Sequence, residues 1–342
     1  MTPSGPVADL GPLLDHHWYD AVASLLGSGG HAASPAAGLA RVARRVLDLD
    51  AEDFGAVAAQ HDRPWARRLV DAAFPLEPRD ERRGALSSLV PLYELMLEVL
   101  DLRAARGEPL QIVVTAHLIG EFLSQLAWEP RLGHAGDPLR MAEDVGGRWG
   151  TDDRECPHTS AQRTTARRSL RAADGDRAGY TAYLDRFHSR LGDTLAVCAM
   201  NHRTVAAGER PDVGETCPDP CDFALVGDLP VRRDLDARVR LARIYVSSPL
   251  VALRHHAPVG HFFGVPSTTE ISTAWVDTWT RLTQPWADGS NPLLLGRHGR
   301  PGPDEALPGM SALVSAVAGR PIGPGTVIRE LGADVRAALD EE

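Results

Sequence analysis

The sequence predicts a mainly α protein, with a helical body over residues 1–205 and a smaller α+β part over 206–342. Three observations lead there. Apolar residues recur at helical spacing through most of the first part, as Leu39, Val42, Val46 and Leu47 do. Between such stretches Gly, Pro and Asp cluster, where helices stop. Past residue 205 the pattern turns to short runs bearing Val, Ile, Tyr and Phe, the composition of strands.

Residues 12–26 (PLLDHHWYDAVASLL) predict a helix ending at Gly27-Ser28-Gly29-Gly30, because glycine takes left-handed backbone freely. Helices follow over 37–48, over 51–73 with an interruption at Pro64, and over 85–105 with Pro91 in the first turn. Residues 109–128 form another, closed by Glu129-Pro130, and 130–160 is a break dense in Gly, Pro and Asp. Helices resume over 160–172 and 176–203, the latter opened by Asp176 as N-cap. In the second part CDFALVGDLPV, RLARIYVSSPLVAL and GHFFGVPS predict strands. Ser267 and Glu270 then fit a capping box at the start of a helix over 268–283. A Gly/Pro-rich loop, 284–309, leads to two short C-terminal helices.

With 342 residues and 43% apolar content the chain can bury a real core. Its formal net charge of −10 makes nucleic acid a poor partner, since phosphates need a basic surplus. All 36 basic side chains are arginine, which excludes Schiff-base and lysine-base mechanisms. A coding bias toward Ala, Arg, Gly and Pro accounts for the missing lysine more plainly than avoidance of lysine modification. No apolar run approaches the ~18 residues of a membrane helix, and the N-terminus lacks a basic stretch before an apolar one. A cytoplasmic location is therefore expected, with no membrane partner. P-loop, dinucleotide, H-E-x-x-H and G-x-S-x-G motifs are all absent.

The chemical signals are cysteines and histidines. Cys198 and His202 lie four apart on an expected helix, and Cys217 and Cys221 flank a proline-stiffened loop fifteen residues on. The pattern C-x3-H…C-x3-C suits a tetrahedral zinc ion, with Cys156 able to replace or complete a ligand. Zinc is the implied cofactor, stapling the two parts. A buried cysteine and a Cys217–Cys221 disulfide are the plainer alternatives.

His255, His256 and His261 sit around an expected turn beside Arg254, which would favour an anionic group. These four are the expected acid–base and anion-binding residues. His117 and Glu121, with Ser124 and Gln125, make a polar stripe at helical spacing. The pair could share a metal, or the carboxylate could orient a histidine base, although a solvated helix face explains it more simply. Asp185 and His188, with Glu94 and Glu98, weakly resemble the acid–histidine units of carboxylate-bridged metal bundles. Arg163, Arg167, Arg168 and Arg171 align on one face and could dock an acidic partner. Trp275, Trp279 and Trp286 could stack a planar ligand, but that spacing usually means core.

The expected function is a cytoplasmic zinc-binding protein, a metal-dependent or histidine acid–base enzyme acting on a small anion. A non-catalytic adaptor using the arginine face is the alternative. A non-haem iron or manganese oxygenase built on His117, Glu121, Asp185 and His188 is the weaker one.

Overall fold

Proline and short polar side chains set where the helices begin. Pro12, Pro35, Pro64, Pro91, Pro109, Pro230 and Pro249 each stand in a first turn, where the missing N–H is one no helix can use. Ser34, Asp228, Ser248 and Ser267 accept the backbone N–H three residues on. A computed structural model of the chain describes residues 10–75, 77, 82–145, 177–182, 192, 228–256, 264–296 and 305–341. Its first half holds α1 (Gly11–Asp15), α2 (Tyr19–Ser28), α3 (Pro35–Leu47), α4 (Phe54–Ala58), α5 (Pro64–Ala72), α6 (Val90–Ala105), α7 (Pro109–Glu121), α8 (Leu123–Leu132) and α9 (Pro138–Val145). After these come α10 (Arg177–Ala182), α11 (Leu229–Val246), α12 (Pro249–Ala252), α13 (Thr268–Leu282), α14 (Met310–Ala318) and α15 (Val327–Glu341).

Every regular element among the described residues is helical, so the protein is mainly α. The α+β character expected of 206–342 is not found among the described residues of that part. RLARIYVSSPLVAL, expected as strand, forms the end of α11 and all of α12. Its β-branched and aromatic residues misled, whereas the spacing of Leu235, Val239, Ala242 and Tyr245, all buried, is helical. Only 228–231 of CDFALVGDLPV and 264–267 of GHFFGVPS are described, and neither piece is a strand. The capping box is present: Glu270 N–H donates to Ser267 Oγ (3.2 Å), and Ser267 N–H to Glu270 Oε2 (2.8 Å).

Some helices expected whole are divided. The 12–26 segment breaks at His16–Trp18, where His17 takes φ 56°. The 109–128 segment breaks at Phe122 (φ −107°), then runs through Pro130 to Leu132. By length and composition Pro109–Leu132 could cross a membrane, yet 61% of its most apolar window is buried within the fold.

Helix α6 touches α5, α7, α14 and α15. The C-terminal α15 lies along α3, next to α1 and α5, while α8 packs between α11 and α14. Helices from both sides of residue 205 thus contribute to one apolar core. Polar anchors fix these crossings. The carboxylate of Glu98, on α6, receives the N–H groups of Ile328 (3.1 Å) and Arg329 (3.0 Å) at the start of α15. Tyr19 donates to the carbonyl of Ile328 (3.2 Å), and Trp65 to Asp334 (2.9 Å). Buried Arg238 of α11 reaches the carbonyls of Ala127 (3.1 Å) and Ala318 (3.4 Å), joining α8 to the end of α14. At Gly319 a Cβ would stand 3.0 Å from that guanidinium, and φ is +72°, so glycine is required.

Candidate functional site

A cavity of about 630 Å³ opens between the end of α3, the outer face of α7 and the turn after α12. One wall begins where α3 stops. The N–H of Leu49 bonds the carbonyl of Val46 (3.0 Å) and that of Asp50 bonds Arg45 (3.2 Å), a Schellman closure. The left-handed residue in such a closure is usually glycine, but here it is Leu49 at φ 55°. Leucine in that conformation costs about 1–2 kcal/mol, and the same side chain lines the cavity. Charge pairs hold the segment. Arg45 donates to Asp50 (2.8 Å) and contacts Asp53, and buried Arg103 donates to the carbonyl of Leu47 (3.0 Å) and to Asp48 (2.7 Å). Phe74 N–H bonds the Ala51 carbonyl (3.1 Å), which brings the Phe74 ring against Phe122 at 5.5 Å.

Helix α7 forms the opposite wall. Val114, His117, Leu118 and Glu121 fall at i, i+3, i+4 and i+7, one stripe of the helix, and all four line the cavity. His117 Nε2 stands 2.9 Å from Glu121 Oε1. Arg254, from the 3-10 turn Leu253–His256, brings Nη1 to 4.0 Å from the same oxygen and into contact with His117 Nε2. The side chains of His117 and Glu121 are 18% and 26% exposed, so this is a half-buried cluster and not a freely solvated face. A neutral imidazole cannot use Nε2 both to donate to Glu121 and to accept from Arg254. The ring's proton position is therefore coupled to where the guanidinium sits. Six further groups complete the lining: Leu49, Asp50, Ala51, Glu52 and the two phenyl rings.

A second cavity, about 210 Å³, adjoins the same pair. Gly120, Ser124, Gly192, Arg243, Val246 and Val251 line it together with His117 and Glu121.

Of the residues expected to act, Arg254 reaches the cavity. Exposed His255 does not line it, and His256 ends a 3-10 turn where a strand-turn was expected. His261 lies outside the described residues, as do Cys156, Cys198, His202, Cys217 and Cys221. So do Asp185, His188 and the four arginines from 163 to 171. Among the described residues no three His, Cys, Asp or Glu side chains gather as a metal site. Glu98 accepts the first N–H groups of α15. Trp275 is buried, with its indole N–H on the carbonyl of Pro308 (3.2 Å) and its ring 5.7 Å from that of Trp279. Trp286 lies under the Arg240 guanidinium at 4.1 Å. The indoles are packing groups.

Leu49, Phe74, Phe122 and Arg243 carried no sequence signal of a site. A left-handed Leu49 was visible in part, since Leu-Asp-Leu-Asp ends a clear helical period with no glycine to close it. Compared with models of protein families, with curated proteins and with solved structures, the chain matches none.

Proposed function

We propose that the protein carries out histidine acid–base chemistry on a small molecule with an apolar body, bound in the 630 Å³ cavity. One observation supports this most: a histidine, a carboxylate and a guanidinium converge on the wall of a mainly apolar hollow. In this proposal His117 accepts or delivers the proton at Nε2. Glu121 orients the ring and balances the imidazolium that forms. Arg254 gives up its contact with His117 when substrate enters, and then faces negative charge developing on a substrate oxygen. The histidine role thus moves from His256 and His261 to His117, while Arg254 keeps the anion-facing role its sequence context suggested.

Hydrolysis of 4-nitrophenyl butanoate tests the proposal, because that activated ester needs little beyond a positioned base. The wild-type chain should release 4-nitrophenolate at least about a hundredfold faster than His117→Gln, the low end for general-base catalysis. Equal rates in folded protein would reject His117 as the base. The spacing of Cys198, His202, Cys217 and Cys221 supports a separate proposal, a structural zinc, which is independent of this site.

A further inference from the structure

His117 and Glu121 line two hollows, and the hollows differ in chemistry. The larger offers Leu49, Val114, Leu118 and two phenyl rings, and its charged lining is mostly acidic: Asp50, Glu52 and Glu121 against Arg254. A carboxylate placed there would lose its water and meet like charge. The smaller has Arg243 as its cation and Ser124 as a hydroxyl. Backbone closes its sides at Gly120 and Gly192. A Cβ at Gly192 would lie 2.6 Å from the Gln125 side chain, and one at Gly120 would touch the Tyr245 ring at 3.4 Å. The contact at Gly120 is an ordinary one, whereas a Cβ at Gly192 would push aside the movable end of Gln125.

We infer that the substrate is an amphipathic carboxylate. Its head lies in the small hollow on Arg243 and Ser124, its apolar body lies between Phe74, Phe122 and Leu118, and the atoms joining them pass His117 Nε2. The planar guanidinium matches a carboxylate in a way no other lining group can. This rests on the proposed acid–base role of His117, for it names what that residue would act upon.

Calorimetric titration of the full chain with 4-phenylbutanoate, 4-phenylbutan-1-ol and 4-phenylbutylamine tests it. The carboxylate should bind at least about tenfold more tightly than the alcohol, the worth of one charge-assisted contact. Arg243→Gln should erase that preference and Arg254→Gln should keep it. Should Arg243→Gln prove unfolded by circular dichroism, Ser124→Leu, which fills the small hollow, should weaken the carboxylate to the same extent. A preference lost in Arg254→Gln but kept in Arg243→Gln would overturn the inference and leave the His117 proposal standing. Tighter binding of the amine would overturn it too. No binding of any probe that Val114→Trp can abolish, together with equal ester rates for wild type and His117→Gln, would remove both.

Discussion

Replacing Glu98 by alanine should loosen the C-terminal helix from the core. Glu98 has no exposed surface, and its Oε1 receives the N–H groups of Ile328 and Arg329. These are two of the donors that α15 cannot satisfy for itself. Alanine would strand both inside the protein. At about 1–3 kcal/mol for each buried group left unsatisfied, the expected loss is about 2–6 kcal/mol. Removing a charge that is itself costly to bury offsets part of this. Glutamine separates the two effects, since its carbonyl oxygen can accept both N–H groups without a charge. Glu98→Gln should cost less than alanine, about 1–3 kcal/mol, because its amide NH2 replaces Oε2, which is buried without a partner among the described residues. Urea unfolding at neutral pH, with matching slopes, measures both. The pH dependence adds a sign. Burial pushes the Glu98 carboxyl up from its ordinary 4.5, while the N–H groups of Arg329, Ile328 and Val327 pull it down more weakly. A carboxyl raised in the folded state holds its proton there more firmly than in the unfolded chain. Stability from this group therefore falls as pH rises from about 4.5 through the folded value, and is level above it. Burial also raises Glu94 and Asp101 on the same helix, so Glu98→Gln should make the slope shallower, not abolish it. An alanine variant within about 1 kcal/mol of wild type, or a glutamine variant as damaged as alanine, would refute this account of α15.

Three further outcomes are expected. Leu49→Gly should be about 1 kcal/mol more stable than Leu49→Ala by thermal unfolding, because both lose the side chain and only glycine relieves the left-handed backbone; the reverse order would deny the strain. Arg238→Met should cost about 3 kcal/mol, since the carbonyls of Ala127 and Ala318 and the carboxylate of Asp234 lose their shared donor; a neutral result in urea unfolding would show those carbonyls satisfied otherwise. Elemental mass spectrometry of protein purified without chelator should find about one zinc per chain, lost in a Cys217→Ser/Cys221→Ser variant along with thermal stability. Retained zinc in that variant, or none in wild type, would reject the cysteine site.

Much of the helical frame was legible because it is written locally. Ser267 and Glu270 announce their helix within four residues, and prolines in first turns mark others. His117 and Glu121 were legible as a pair for the same reason, being one turn apart. What the sequence hides is distance. Arg254 meets His117 from 137 residues away, and nothing in either local pattern requires it. Glu98 read as a possible metal acid because its partners, the N–H groups of Ile328 and Arg329, lie some 230 residues on. The RLARIYV segment misled differently. Its Ile, Tyr and Val favour strands by composition, while the spacing of Leu235, Val239 and Ala242 follows a helix. Spacing decided, since a helix with those residues on one side packs against α8 and α14.

The central claim is that His117 faces a bound small molecule in the larger cavity. Nitrogen-resolved magnetic resonance of the histidine rings tests it most directly, with the His117 signals assigned by their loss in His117→Gln. Adding 4-phenylbutanoate should move those signals in wild type and leave them in place in Val114→Trp, where the cavity is filled. His117 signals that do not respond to saturating ligand, or that respond equally when the cavity is blocked, would contradict the account.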